Sequence, residues 1–157
     1  GAGRMRQESG VVSAPIGRHP IDRKKMAVTE KNSKEAVTYF RVIAEYPGYT
    51  HIRLRLETGR THQIRVHLAH IGCPICGDYL YGRELPELKD RFALHSARLR
   101  CVQPVTGKTV EVVEPLPEEL KALLTPSAFC AEFASSALAG ISALNTSLLE
   151  GGGTTKS

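Results

Sequence analysis

One stretch of this chain changes its hydrophobic periodicity within a few residues, and this change constrains the fold more than any other feature. From His51 to Glu57 apolar and polar side chains alternate, with Arg53 and Arg55 on the polar face, which is the pattern of a half-buried strand. From Ile64 to Ile71 apolar residues recur at helical spacing, and Gly72 follows where a glycine commonly ends a helix. The sequence therefore predicts a strand, a sharp turn and a helix in direct succession.

The turn between this strand and this helix contains polar residues that suit an anion or a catalytic carboxylate. Gly59 can adopt a positive φ angle, and Thr61 is placed to cap the helix by accepting a backbone N–H. Backbone N–H groups and the positive end of the helix dipole then lie beside Arg60, His62 and Arg65. The alternative is that these side chains only solvate the first turn of an ordinary helix.

Two sequence motifs carry a resemblance to a known family. The segment Leu56-Glu-Thr-Gly-Arg-Thr-His-Gln-Ile-Arg-Val-His67 is followed by Gly77-Asp-Tyr-Leu-Tyr-Gly82, and both closely resemble the RluA-type RNA pseudouridine synthases. The resemblance extends from about Pro15 to Pro117. It implies part of the pseudouridine synthase catalytic fold. This agrees with the α/β (α+β) class that two predicted hairpins indicate, a mixed, mainly antiparallel sheet with flanking helices.

The resemblance also implies a reaction. Pseudouridine synthases isomerise a flipped-out uridine in RNA, using one aspartate as nucleophile or base and no metal or cofactor. In the family, the arginine of the Gln-Ile-Arg-Val-His pattern pairs with that aspartate, which here points to Arg65. Leu94 matches the family's Leu-His pattern and is implied to lie under the uracil, although plain core packing is an equally good interpretation.

The catalytic aspartate itself is missing from this chain. In the family it lies in an upstream Arg-Leu-Asp motif, and the aspartates present here, Asp22, Asp78 and Asp90, have other neighbours. The upstream tyrosine motif of the family is absent as well. We therefore interpret the chain as the C-terminal half of the catalytic domain and expect residues 1–157 alone to be inactive.

The distribution of charge favours a polyanionic partner. The net charge is +5, and residues 126–157 contribute one lysine against two glutamates, so the excess lies in the first 125 residues. The resemblance implies that the partner is RNA, and we expect ribosomal RNA. A solvated basic loop is the alternative for the residues around Arg23. The residues predicted to contact RNA are Arg18, Arg23, Lys24, Lys25, Arg53, Arg55, Arg60 and His62.

The segment from His67 to Cys76 has a spacing similar to a zinc ligand set, because His70 and Cys73 complete a His-x2-His-x2-Cys-x2-Cys pattern. The end of the predicted helix intervenes, however, and zinc ligands usually come in two pairs a dozen or more residues apart. We interpret both thiols as buried and inert, and we predict no metal and no cofactor. Two alternative functions stay open: a non-catalytic RNA-binding module, and a zinc or redox protein.

Three regions are predicted along the chain. Residues 1–9 form a disordered start, residues 10–124 the family-like region, and residues 125–157 a weakly helical and then flexible tail. No apolar run is long enough to span a membrane. Cysteines without framework spacing indicate a reducing compartment, either the cytoplasm or an organelle such as a chloroplast or mitochondrion. We expect a monomer, and the first residue, a glycine, leads us to expect a fragment or processed form.

Overall fold

The computed structural model describes residues 1–88 and 91–124, so the predicted tail at 125–157 lies outside the described residues. The chain divides into two compact units, one ending at Ala93 and one beginning at Leu94. The region predicted as a single domain therefore extends over both units. The first unit contains β1 (Ser9–Ser13), β2 (Ile16–Arg18), β3 (Met26–Val28), β4 (Ser33–Lys34), β5 (Val37–Tyr46), β6 (Tyr49–Leu56) and α1 (Gln63–His70); the second contains β7 (Arg98–Val102), β8 (Thr109–Val113) and α2 (Glu118–Leu123).

The larger sheet of the first unit has the antiparallel order β1-β5-β6. The β5–β6 hairpin turns at Pro47-Gly48, where Gly48 has a φ angle of 82°, a conformation that glycine adopts without steric cost. Phe40 lies opposite Leu54 and Tyr39 opposite Arg55. Because successive side chains point to opposite faces, the predicted apolar and basic faces of β6 are both present.

Helix α1 packs on the apolar face of this sheet. Its residues Gln63 and His67 contact Thr38 of β5, at 2.9 and 2.8 Å. Val66 of α1 also packs with Ile16 of β2 and with Ala36, in a core joined by Met26, Val28 and Tyr81. The small second sheet, with order β3-β2-β4, is therefore connected to the same helix. The predicted fold class, mainly antiparallel sheet with flanking helices, is confirmed.

The start of α1 differs from the prediction. The N-cap residue is His62, in the left-handed region with a φ angle of 55°, and no side chain caps the helix. Thr61 is therefore not a cap, and Gly59 is not among the glycines with positive φ. The buried face of α1 is also more polar than predicted, since it includes Gln63 and Arg65. Hydrogen bonds to residues distant in sequence satisfy these polar side chains.

The first residues of the chain make backbone hydrogen bonds in the structure, although the sequence places them in a disordered start. Gly1 exchanges N–H···O bonds of 2.8 and 2.9 Å with Thr50 at the beginning of β6. Ala2 donates to Pro74 at 2.7 Å and Gly3 to Gly48 at 3.0 Å. These contacts place the first residues along the start of β6, and β1 begins at Ser9.

The second unit consists of the β7–β8 hairpin and α2. The hairpin turns at 103–107, where Gly107 has a φ angle of 67°, and Pro117 directly precedes α2. Leu120 of α2 is buried. Among the residues that the structure describes, no helix is long and apolar enough to cross a membrane.

Candidate functional site

Arg65 and Asp78 form a buried ion pair at the centre of the first unit. Arg65 Nε donates to Asp78 Oδ2 and an Nη group of Arg65 donates to Oδ1, both at 2.8 Å. The Asp78 side chain is fully buried and that of Arg65 is 11% exposed. Two parallel bonds between a guanidinium and a carboxylate set the plane of the guanidinium as well as its position. The charge that the sequence left unmatched therefore has a partner within the chain.

Backbone groups of the turn that follows α1 also bind the carboxylate of Asp78. Its Oδ1 also accepts backbone N–H groups of Leu80 and Tyr81, at 3.0 and 3.3 Å. Burial by itself raises the pKa of Asp78, but the hydrogen bonds from Arg65 and from these two N–H groups outweigh it and lower the pKa. The hydrogen bond to Asp78 in turn raises the pKa of Arg65. Both groups are therefore ionised at neutral pH.

Two aromatic rings lie against the guanidinium of Arg65. The Arg65 Cζ atom is 5.0 Å from the centroid of Tyr81 and 4.6 Å from that of Phe92, distances at which a cation is attracted to a ring face. The contacts with Asp78 use Nε and one terminal nitrogen, whereas a guanidinium carries five N–H donors. The second terminal nitrogen takes no part in the pair.

A buried network of polar side chains joins α1 to β5. Gln63 Nε2 donates to Val37 O and to Thr38 Oγ1, at 3.0 and 2.9 Å. Its Oε1 accepts from the Thr58 hydroxyl and from the Arg60 backbone N–H, at 2.8 and 2.9 Å. Gln63 therefore ties the turn between β6 and α1 to the neighbouring strand. This explains why a glutamine occupies the first position of the helix and is buried there.

His67 completes the network in its neutral form. Its Nε2 lies 2.9 Å from the carbonyl oxygen of Ala14, which can only accept, so Nε2 carries the ring proton. Nδ1 lies 2.8 Å from Thr38 Oγ1 and accepts the hydroxyl proton. Burial lowers the pKa of His67. A proton added at Nδ1 would remove the acceptor that Thr38 uses.

This geometry makes the free energy of unfolding depend on pH. Because the pKa of His67 is lower in the folded than in the unfolded chain, its contribution is complete above about pH 6.5 and is lost as the pH falls toward the folded pKa. We expect urea unfolding to show a loss of up to about 1.4 kcal/mol per pH unit for each proton taken up. His51, whose pKa burial lowers to about 4, extends the loss to that pH.

Two variants separate the contribution of His67. His67→Gln should flatten the pH dependence below pH 6.5, whatever its effect at neutral pH. His70→Gln is the matched control, because His70 lies on the same helix and is exposed. An unchanged slope in His67→Gln would show that this ring does not titrate on unfolding.

His62 lies at the junction of the turn and α1. Its Nδ1 is 2.8 Å from the hydroxyl oxygen of Tyr81, and the two rings meet edge to face at 79° with centroids 5.7 Å apart. Burial first, and then the charge of Arg65, lower the pKa of His62. A positive φ angle is uncommon for a non-glycine residue, so the contact with Tyr81 fixes an unusual backbone position.

The structure does not bring all the predicted RNA-contacting residues onto one face. Arg53 and Arg55 alternate with the β6 residues that face α1, and Arg55 lies over the ring of Tyr39 at 4.4 Å. These two arginines are therefore on the opposite face of the sheet from Arg65. Of the other predicted residues, Arg18 ends β2, and the rest lie in the loop between β2 and β3 or in the turn before α1: Arg23, Lys24, Lys25, Arg60 and His62.

Leu94, Cys73 and Cys76 are the remaining residues that the sequence analysis singled out. Leu94 is half-buried and belongs to the second compact unit, so its predicted place under the uracil stays a prediction. Cys73 and Cys76 are buried, and burial raises the pKa of both thiols. Both ring nitrogens of His67 are already hydrogen bonded. Within residues 1–88 and 91–124, no three His, Cys, Asp or Glu side chains are grouped to hold a metal.

Comparison with known proteins finds similarity to one family of proteins. Residues 4–70, which contain the strands β1 to β6 and all of α1, match the model of the RNA pseudouridylate synthase family. The chain is a relative of the RNA pseudouridine synthases. It is 45% identical over 126 residues to ribosomal large subunit pseudouridine synthase D of Nitrosomonas europaea. It is 46% identical over 122 residues to an uncharacterised RNA pseudouridine synthase of Bacillus subtilis.

Solved structures of pseudouridine synthase domains share the fold. Human RNA pseudouridylate synthase domain containing 1 superimposes with a TM-score of 0.63 and 28% identity, over 77% of this chain and 54% of that one. Human RNA pseudouridylate synthase domain containing 4 gives 0.54 and 26%, over 74% and 55%. Alignment with the Nitrosomonas and Bacillus synthases covers 75% and 78% of this chain but 36% and 42% of theirs. The chain thus spans well under half the length of those curated relatives.

Asp78 is the site residue that the sequence interpretation missed. It was set aside because its neighbours are not those of the catalytic aspartate motif. One sequence signal points to a role, since an aspartate at the start of a glycine-bounded turn commonly accepts a backbone N–H group two residues further on. The partner of that aspartate was not visible, because Arg65 is separated from it by the end of α1 and a turn.

Proposed function

We propose that this chain forms part of the catalytic domain of an RNA pseudouridine synthase and that its substrate is ribosomal RNA of the large subunit. The family match over residues 4–70 and the similarity to large-subunit synthases support the reaction and the substrate class. The observation that carries the proposal is the Arg65–Asp78 pair, a fixed, buried and ionised guanidinium within the motif that matches the family.

Arg65 has the geometry to orient a second carboxylate. Asp78 and the rings of Tyr81 and Phe92 hold its guanidinium in one plane. Its other terminal nitrogen can then donate to an aspartate contributed by a segment outside residues 1–157. Such a bond stabilises the ionised carboxylate, which lowers its pKa and keeps it ready to act as nucleophile or base. The residues of this chain supply the charge and the orientation in this scheme.

The basic residues supply the RNA-binding surface in this proposal. Arg18, Arg23 and Lys24 are exposed in or beside the loop between β2 and β3, as expected for side chains that neutralise phosphates. Lys25 lies in the same loop, and Arg60 and His62 lie in the turn before α1. Arg53 and Arg55 form a second basic area on the opposite face of the larger sheet. We propose that RNA reaches the site along the first of these areas.

We expect the affinity of the chain for RNA to fall steeply with salt. Each phosphate contact releases counterions, so a chain with about four such contacts should lose roughly two orders of magnitude between 50 and 200 mM salt. Binding of a fluorescent hairpin from large-subunit RNA measures this. Arg23→Gln with Lys24→Gln should reduce the salt slope, whereas Arg4→Gln with Arg41→Gln, a control of equal charge, should change it less. A slope that is the same in both pairs would remove the loop from the interface.

One observation favours a second candidate, a non-catalytic RNA-binding module. The charge of Arg65 is already balanced by Asp78, so the pair is stable without any further carboxylate. In such a module the pair would only hold the turn at 77–82 against α1. Both candidates predict RNA binding, and only the first predicts isomerisation of uridine.

An isomerisation assay decides between the two. An extended protein, in which the N-terminal part of the Bacillus subtilis relative precedes residues 1–157, provides the missing segment. Conversion of uridine to pseudouridine in large-subunit RNA is read by mass spectrometry of labelled nucleosides. We expect conversion by the extended protein and none by residues 1–157 alone. Conversion by the shorter chain would refute the need for an outside aspartate, and an inactive extended protein would favour the binding module.

A further inference from the structure

The hydroxyl oxygen of Tyr81 is shared by two parts of the first unit that are distant in sequence. It lies 2.8 Å from the backbone nitrogen of Met26, the first residue of β3, and 2.8 Å from Nδ1 of His62, the residue before α1. Strand β3 pairs only with β2 in its sheet, so the Met26 N–H points away from the sheet toward the tyrosine. A single hydroxyl group thus joins the end of the basic loop to the start of the helix.

The hydrogen atoms of this contact follow from what each group can donate. The Met26 N–H can only donate, so the Tyr81 oxygen accepts it. The hydroxyl proton is then directed to His62 Nδ1, which accepts, and the ring proton of His62 is on Nε2. The lowered pKa of His62, caused first by burial, agrees with a neutral ring.

The loop that ends at Met26 has hydrogen bonds of its own, which connect the backbone that carries its cations. The His19 backbone N–H donates to Lys25 O, and the Lys25 N–H donates to Asp22 O, both at 3.1 Å. His19 Nδ1 accepts backbone N–H groups of Ile21 and Asp22, at 3.2 and 2.9 Å. These bonds link residues at both ends of the loop that runs from Arg18 to Met26.

The ring of the same tyrosine faces the guanidinium of Arg65 at 5.0 Å. We propose that Tyr81 is a positioning residue: its ring contacts Arg65 while its hydroxyl holds the basic loop, so that phosphates bound by Arg23 and Lys24 lie at a set distance from the Arg65 site. The hydrogen bonds of the Tyr81 hydroxyl are present in the chain by itself, whereas their use in placing RNA rests on the proposed function.

The contact is tested first in the free chain. Tyr81→Phe keeps the ring and removes only the hydroxyl, and Tyr79→Phe is the matched control because Tyr79 lies in the same turn and is 68% exposed. In Tyr81→Phe, amide hydrogen exchange at Met26 should accelerate at least about tenfold, and the ¹⁵N shifts of His62 should lose the single-tautomer pattern. Tyr79→Phe should change neither. Unchanged exchange and unchanged His62 shifts in Tyr81→Phe would overturn the proposal.

The consequence for RNA is tested by a double-mutant cycle. Tyr81→Phe should weaken binding of a large-subunit RNA hairpin about three- to tenfold, a range typical of coupled neighbours. The effect of Arg23→Gln with Lys24→Gln should be smaller in Tyr81→Phe than in the parent chain, because a loosened loop no longer places those charges. His62→Asn keeps an acceptor where Nδ1 lies and tolerates a positive φ, so it should retain most of the affinity, whereas His62→Gly should not.

Additive effects of Tyr81→Phe and the loop substitutions would overturn the positioning role, as would RNA affinity equal to that of the parent chain. If the proposed function is wrong, the result differs: the extended protein does not isomerise uridine, while the Met26 exchange rate and the His62 shifts still report the Tyr81 contact.

Discussion

Arg65→Ala in the extended protein is expected to reduce the conversion of uridine to pseudouridine by about 100-fold or more, with RNA affinity changed little. A preorganised donor removed from a water-excluded site typically costs two to three orders of magnitude in turnover. The loss should appear in kcat, because the proposed role of Arg65 is to orient the catalytic carboxylate, whereas the proposed role of the exposed cations of the loop is to hold the RNA. Mass spectrometry of labelled nucleosides gives the rate, and fluorescence titration gives the affinity.

Arg65→Lys tests whether the positive charge alone is sufficient. An ammonium group keeps the charge but cannot make the two parallel bonds to Asp78 and donate to a second carboxylate in the same plane. We expect it to restore less than a tenth of the parent rate. Turnover near that of the parent in either variant would remove Arg65 from the reaction and leave its pair with Asp78 as a structural contact only.

Asp78→Asn is expected to lower the free energy of unfolding of the chain by about 3–5 kcal/mol, the usual loss when one member of a buried ion pair is removed. Asparagine keeps an oxygen that can accept the N–H groups of Leu80 and Tyr81. The loss therefore reports mainly the uncompensated charge of Arg65. Urea unfolding followed by circular dichroism measures it, with Asp22→Asn as a control in an exposed loop.

A double variant separates stability from activity. Arg65→Met with Asp78→Asn removes both charges, so it should recover much of the stability that Asp78→Asn alone loses, because two neutral groups leave no buried charge behind. The same double variant in the extended protein should stay inactive, since the orienting guanidinium is gone. A double variant no more stable than Asp78→Asn would show that the pair contributes through packing.

Local pattern was sufficient for the elements around the site. The alternation between His51 and Glu57 predicted β6, the helical spacing from Ile64 to Ile71 predicted α1, and the glycine at 72 predicted where α1 ends. These features depend on side-chain periodicity and on glycine geometry, which act over a few residues. The start of α1 was predicted less well, because His62 and Gln63 bond to Tyr81 and Thr38, which are distant in sequence.

The sequence by itself indicated the resemblance to the RNA pseudouridine synthases, the antiparallel class of the fold and the arginine in the helix that follows β6. Only the tertiary structure decided what that arginine contacts. After the end of α1 the chain folds back so that Asp78 pairs with Arg65, and Tyr81 and Phe92 lie against its guanidinium. It also decided that Arg53 and Arg55 lie on the other face of the sheet from Arg65. Periodicity assigns a side chain to a face of its own element, but the partner across the core depends on how the chain returns, and no local pattern encodes that path.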